Sequence, residues 1–350
     1  MKLPTGHTIL QIKQGGKILS FGELLLRICP DTEGQWLQQN KMPFYMGGAE
    51  ANVAAALALW SLPAMYMSCI PENMMCRQLT AALSQKGVDV SQMIYAGERL
   101  GLYFLPQGKD LKNAGVIYDR AYSAFSQLKV GMIDWNQVLE EVSWLHFSAI
   151  SPALNENLAQ VCLEAATVAA QKNIVVSVDL NYRAKLWHWT DPLSVMPAIA
   201  SHCDVLMGNL WAAETMLGVN QNPVTIKNTE TYLQQALHTS QKIRQQFPKV
   251  KVVANTFRFD QQAGGVQYYA TLFAADHLYT SAAYHIKTIT DKVGSGDCFM
   301  AGLISGFFNH NTPQQTLDFA TAAAVRKLSE AGDATRSTVA DIQQTIKAHE

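Results

Sequence analysis

The run Asp291-Lys292-Val293-Gly294-Ser295-Gly296-Asp297, followed by the apolar stretch Cys298 to Phe308, puts two glycines and an aspartate at the expected start of a helix. The glycines let backbone N–H groups come close to an anion, and a helix beginning at about Asp297 aims its positive end at the same point. That suits a transferring phosphoryl group. Asp297 beside it is placed to take the proton from an attacking hydroxyl. Taken alone, the same residues also read as an ordinary turn with Asp297 as helix N-cap, so the choice rests on the rest of the chain.

A second group lies in Val175-Val176-Ser177-Val178-Asp179-Leu180-Asn181-Tyr182-Arg183, which runs from an apolar strand into polar residues. Ligands of a doubly wound sheet sit beyond the carboxyl ends of its strands. Asp179, Asn181 and Arg183 alternate, so they share one face while the segment stays extended. Arg120 ends another short strand, Val116 to Arg120, and by itself reads as a solvated side chain. Other chemistries fail on their spacing. Phe299 stands where a dinucleotide fingerprint needs its third glycine, no GxxxxGK[ST] occurs, and Ser151, Ser177 and the histidines form no nucleophile elbow. His146, on an apolar strand, reads as core.

The elements that must position these residues follow from pattern. Lys17 to Phe21 reads as a strand and Leu24 to Ile28 as a second, with Gly47-Gly48 before an alanine-rich helix from Ala49 to Trp60. Ala64 to Ile70 reads as a strand, and Leu102 to Leu105 with Gly115 to Tyr118 as a hairpin joined by Pro106 to Asn113. Trp144 to Phe147, Ile174 to Leu180, Asp204 to Met207 and Lys251 to Ala254 read as strands. They alternate with helices at Asn155 to Lys172, Pro192 to Ser201 and Thr225 to Gln246. Buried β-branched strands between helices indicate a mostly parallel sheet covered on both faces. One domain spanning 1–350 with a small β appendage accounts for the length.

Composition narrows the partners. Hydrophobic residues make up 48% and charged residues 16%, which gives a globular chain, and the net charge of -1 points to neither nucleic acid nor an anionic membrane. An anionic substrate must then be held by a few local Arg or Lys side chains. Cysteines 29, 69, 76, 162, 203 and 298 form no CxxC pair and no metal spacing, as expected of reduced thiols in a cytoplasmic protein. The uncharged run 51–70 is broken by Pro63, and the first sixteen residues carry no signal-peptide core.

Two segments together resemble one family. Gly47-Gly48-Ala49-Glu50-Ala51-Asn52-Val53-Ala54 resembles the N-terminal signature of the PfkB/ribokinase carbohydrate kinases, and Asp291 to Phe308 resembles their C-terminal signature. Within that family, Phe21 to Arg27, Gly101 to Phe104, Tyr118 to Ala124, Asp179 to Trp187 and Gly332-Asp333-Ala334 are most similar to 2-keto-3-deoxygluconate kinases. The resemblance implies an α/β, ribokinase-like three-layer sandwich with a mostly parallel doubly wound sheet. A small β lid would come from about 21–46 and 98–125.

It also implies transfer of a phosphoryl group from ATP, with Mg2+, to the terminal hydroxyl of a keto-deoxy sugar acid. Asp297 would be the base, with Gly294, Ser295 and Gly296 as the anion hole. Gly47, Gly48, Asn52, Tyr103, Tyr118, Arg120, Asn181 and Arg183 would bind the sugar acid, the two arginines gripping its carboxylate as forks. Asn209, Thr256, Gly294 and Gly296 would bind the nucleotide, and a homodimer would form through the lid. The sequence also departs from the family pattern. Asn209 opens an Asn-x-x-Glu motif whose glutamate is replaced by Ala212, which leaves Glu214 as the candidate metal ligand. Asn255 to Asp260 lacks the usual small turn, and Pro71 to Cys76 lacks a glycine. A kinase for fructose or a nucleoside, and a sugar-acid binding protein with weak catalysis, remain open as alternatives.

Overall fold

The computed structural model describes residues 9–30, 40–106, 115–220, 228–261 and 264–349. Its main sheet runs in the order His277–Thr280, Val266–Ala274, Val252–Asp260, Val205–Gly208, Val175–Asp179, Val142–Ser148, Lys17–Phe21, Ala64–Met67. The six strands from Val252–Asp260 to Ala64–Met67 pair in parallel. Val266–Ala274 pairs antiparallel with Val252–Asp260, His277–Thr280 and Tyr284–Ile286. Alternation along each parallel strand divides its side chains between two cores. Leu19, Leu145, Val176, Leu206 and Val253 pack with helix Glu156–Gln171 on one face. Ile18, Trp144, Val175, Val205 and Val252 pack on the other with Ala49–Leu59, Ser295–Phe308 and Pro313–Lys327.

The small sheet expected as a lid is present as a second, four-stranded sheet, ordered Phe44–Gly47, Leu25–Ile28, Gly101–Phe104, Ile117–Asp119. Its hairpin is the one legible in the sequence, with Tyr103 opposite Tyr118. Most of the turn expected between those strands, 107–114, lies outside the described residues, as do positions 1–8 of the N-terminal segment and the first three positions of the helix expected at Thr225.

Several boundaries differ from the sequence reading. Ala64 to Ile70 is not one strand. Ala64–Met67 joins the main sheet, whereas Cys69–Ile70 pairs with Ile94–Tyr95. The chain changes partner at Ser68, whose Oγ accepts from Leu24 N at 3.0 Å. The helix expected over Pro192 to Ser201 breaks into a 3-10 turn, Pro192–Ser194, and a short helix, Met196–Ala200. Pro197 has no N–H to give and is tolerated only in a first turn, so the helix must restart just before it. The strand expected to stop at Ala254 runs on to Asp260, because Thr256, Phe257 and Phe259 pair across to Ala270, Tyr269 and Gln267. Among the described residues no helix is long and apolar enough to cross a membrane.

Candidate active site

The helix Ser295–Phe308 starts two residues earlier than the sequence suggests, and Gly294 is its cap. Gly294 has φ 80°, and a Cβ there would stand 1.8 Å from the Asp333 backbone oxygen. Only glycine fits. Ser295, Gly296 and Asp297 therefore form the first turn, whose N–H groups have no partner within the helix. The Ser295 hydroxyl turns away to donate to Ala324 O at 3.0 Å, which leaves its backbone as its contribution to the turn.

Asp297 is buried and accepts from Asn52 Nδ2 at 2.7 Å. Burial is the largest influence on its carboxyl group and raises its pKa to about 7. The Asn52 bond works against that rise, the charges of Asp179 and Asp333 add to it, and Arg183 opposes it. A carboxyl group so poised can exchange a proton near neutral pH. Asn52 is delivered by the helix Ala49–Leu59, which begins at Gly48 with φ 131°. A Cβ on Gly48 would meet Glu23 O at 2.5 Å, so this glycine too is set by close backbone approach. Gly47 ends the lid strand Phe44–Gly47 instead of facing the cleft.

These groups line a cleft of about 300 Å³ at the carboxyl edge of the parallel strands, beneath the lid. Of the residues singled out from sequence, Gly48, Asn52, Tyr103, Tyr118, Arg120, Asn181, Arg183, Asn209, Thr256, Gly294, Gly296 and Asp297 form its wall. Gly47, Ser295 and Glu214 do not, and Glu214 is exposed on helix Leu210–Leu217. The shared extended face expected for Asp179, Asn181 and Arg183 is not formed. The strand ends at Asp179, whose Oδ1 accepts from Asn181 N at 3.0 Å, and Asn181 turns to φ 26°. All three reach the cleft by this turn.

Arg120 does not offer an open fork. Its Nε donates to Glu23 Oε2 at 2.6 Å, and its Nη2 lies 2.5 Å from the same oxygen, with both residues buried. Arg183 donates from Nη1 to the neighbouring Tyr182 O at 3.0 Å. Tyr103 lines the cleft with its ring while its hydroxyl donates to Asp333 Oδ2 at 2.8 Å. Asp333, buried, has its pKa raised to about 6, mainly by burial. Glu50 accepts from both the N–H and the hydroxyl of Ser148, at 2.8 and 2.6 Å, and burial lifts its pKa to about 7. His146 is core, as read, bonded to Ser177 and with its pKa lowered to about 3 by burial.

Sequence reasoning missed a buried charge cluster between lid and turn. Arg27, fully buried on Leu25–Ile28, donates from Nη1 to Asp291 Oδ1 at 3.2 Å and pairs through Nη2 with Asp291 Oδ2. Its Nε lies 3.0 Å from Asp333 Oδ1, off the line of a hydrogen bond, and its Cζ lies 5.0 Å from the Tyr45 ring centre. The signal was a single arginine in the otherwise apolar run Leu24 to Ile28. At the opposite end of the cleft, Asn209 caps Leu210–Leu217 by accepting from Ala212 N at 2.8 Å. Exposed Trp211 and half-buried Arg258 and Lys292 complete that end, with Lys292 Nζ donating to Asp260 Oδ1 at 3.3 Å. Among the described residues no group of three or more His, Cys, Asp or Glu side chains could hold a metal ion. The glycine-free segment Pro71 to Cys76 is a helix start outside the cleft, capped by Asn73.

Residues 16–339 match the pfkB family carbohydrate kinases. The chain belongs to that family. This pfkB kinase is therefore a phosphotransferase with an alcohol group as acceptor, built as a ribokinase-like sandwich. It is 32% identical to a 2-dehydro-3-deoxygluconokinase structure from Thermotoga maritima, with a TM-score of 0.86 over 95% of this chain and 99% of that one. It is 24% identical to the 2-dehydro-3-deoxygalactonokinase of Haloferax volcanii over 95% of this chain and 96% of the relative. A structure of a putative 2-keto-3-deoxygluconate kinase from Enterococcus faecalis, 23% identical over 95% of this chain and 96% of that one, shares the fold with a TM-score of 0.83.

Proposed function

We propose that this kinase moves the terminal phosphoryl group of ATP onto the terminal hydroxyl of a 2-keto-3-deoxy sugar acid, with 2-keto-3-deoxygluconate as the first candidate. The observation that carries the reading is that Arg183 and the buried Asp297 line one cleft. A carboxylate grip and a base at neutral pH then act on one small molecule. The names of the Thermotoga and Haloferax relatives support the same substrate class.

In this reading Gly48 and Asn52 hold sugar hydroxyls, and Tyr103 and Tyr118 wall the pocket. Arg183, with Asn181, takes the substrate carboxylate. The Arg120–Glu23 pair presents a fixed donor and acceptor to the sugar. Asp297 accepts the proton of the attacking hydroxyl while the N–H groups from Gly294 to Asp297 take up charge on the transferring group. Asn209, Thr256, Gly294 and Gly296 bind the nucleotide, joined by Arg258 and Lys292. Among the described residues no three acid, His or Cys side chains gather into a magnesium cage, Ala212 stands where an acid would, and Asp260 is tied to Lys292. Phosphate oxygens and water are the ligands left to it.

Exposed Phe44 and Ile117 on the outer lid strands suit a homodimer through the lid, and six free buried thiols suit a reducing cytoplasm. The test is ADP release across 2-keto-3-deoxygluconate, its galactonate epimer, fructose and a nucleoside. Turnover of the sugar acids above the neutral compounds is expected. Equal or better turnover of fructose or the nucleoside would overturn the substrate class, and ATP-independent binding without turnover would overturn the activity.

A further inference from the structure

The proposed phosphoryl site takes up one side of the Gly-Ser-Gly turn. Behind the turn sits Lys327, the last residue of helix Pro313–Lys327, with no exposed surface at all. Lysine is almost never buried unless it is paired. Its Nζ donates to Glu330 O at 3.2 Å, and its Cε lies 3.2 Å from the point where a Cβ on Gly294 would stand. Burial lowers its pKa, and the charges of Asp291, Glu330 and Asp333 pull the other way.

The charge count around the turn explains why an ammonium belongs there. Asp291 and Asp333, both buried, flank the turn, and Arg27 pairs with both but carries one charge, while the half-buried Glu330 adds a third acid nearby. An uncompensated carboxylate beneath N–H groups that must receive an anion would cancel part of their attraction, most strongly where water is absent. We propose that Lys327 is a positioning residue for phosphoryl transfer, its buried ammonium supplying the second positive charge behind Gly294 that leaves the turn free to stabilise the transferring group. The proposal rests on the reading of that turn as the phosphoryl site.

The experiment compares Lys327→Met and Lys327→Gln, which lose the charge, with Lys327→Arg, which keeps it, by ADP release at saturating substrates. The neutral variants should lose kcat roughly tenfold to a hundredfold, below the ~10²–10³ typical of a donor touching the charge itself, with both KM values nearly unchanged. Lys327→Arg should retain most of kcat, and added ammonium or methylamine should restore part of the rate of Lys327→Met. A folded Lys327→Met with kcat within about twofold of wild type, or an equal loss in Lys327→Arg with no rescue, would overturn the proposal. If the neutral variants do not fold, Asp291→Asn/Lys327→Met keeps the buried charges balanced. It must then match Asp291→Asn alone in kcat, since with one carboxylate gone the lysine is no longer needed, and a further large loss would overturn the idea. Wild-type turnover in the same assay separates this from the substrate reading. Should another carbohydrate prove to be the acceptor, the comparison runs unchanged on that acceptor.

Discussion

The two ends of the cleft are built differently. At the lid end, Glu23 with Arg120 in the wall, and Arg27 with Asp291 behind it and with Asp333 in it, are nearly or wholly closed to solvent, and each side chain is held by a partner from a distant part of the chain. At the other end Trp211 is exposed, Asp260 is 71% exposed, and Lys292 reaches it at 3.3 Å. Buried ion pairs cost desolvation on both partners and are weak evidence for stability, whereas removing one partner is expensive. The lid end therefore holds one arrangement, suited to a small molecule of fixed shape. The open end leaves geometry to whatever brings its own charges, as a nucleotide does.

The sharpest way to break this contrast is at Asp297, the proposed proton acceptor. Asp297→Asn should lower kcat about a hundredfold to ten-thousandfold with both KM values nearly unchanged. A variant that keeps more than about a tenth of wild-type kcat would remove Asp297 from the role of base. Next comes stability. Arg27→Met leaves two buried carboxylates facing each other and should cost about 3–5 kcal/mol in urea unfolding, while Lys292→Met at the open end should cost less than about 1 kcal/mol. Similar costs for the two would erase the distinction.

Arg183→Lys keeps charge but loses the fork. It should raise the KM for the sugar acid roughly tenfold to a hundredfold, from a lost charged bond of about 1.5–3 kcal/mol, with the KM for ATP little moved. Equal losses on a neutral analogue would make Arg183 structural.

The pH dependence has a definite sign. Asp297 must be ionised to act, so kcat/KM should rise with pH through about 7 and then level. For stability the direction is opposite. The folded-state values of Asp297 and Glu50, both about 7, lie above an unfolded value near 4, so the folded protein holds more protons in that window. Stability should fall as pH rises from about 4 to about 7, and Asp297→Asn should flatten that fall in unfolding curves taken across the range. An unchanged slope would contradict the raised value. The smallest effect is expected at the metal. Ala212→Glu should lower the magnesium concentration for half-maximal rate by a few-fold, since it adds an oxygen ligand at the open end. Glu214→Gln, outside the cleft, should shift nothing, and a large shift there would show that Glu214 reaches the ion after all.

The sequence made the layers legible because burial on both sheet faces demands apolar, β-branched runs such as Val175 to Val178. The lid hairpin, the turn at Gly294 and the helix carrying Asn52 were legible for the same local reasons. Contacts were not. Nothing within Leu24 to Ile28 announces that Arg27 meets Asp291, 264 positions away, or that Glu23 takes the fork of Arg120. The stretch from Asn255 to Asp260 was misread because a glycine turn was expected there, while its own aromatic alternation was that of a strand. Asn181 broke the alternation by adopting a backbone angle that neighbouring residues did not betray.

The place of Arg27 also limits how this enzyme can be recombined. The lid is drawn from two stretches of sequence, yet the fastening at its root is completed by residues 291 and 333, far outside both. A chimera that exchanges the lid for that of a relative imports an arginine without its acceptors, or strands two acids without their cation. The unit of exchange is thus not the lid as drawn on the chain. It is the lid together with the loop before Gly294 and the segment ending at Asp333, and acceptor specificity should move between relatives only when all of these travel as one.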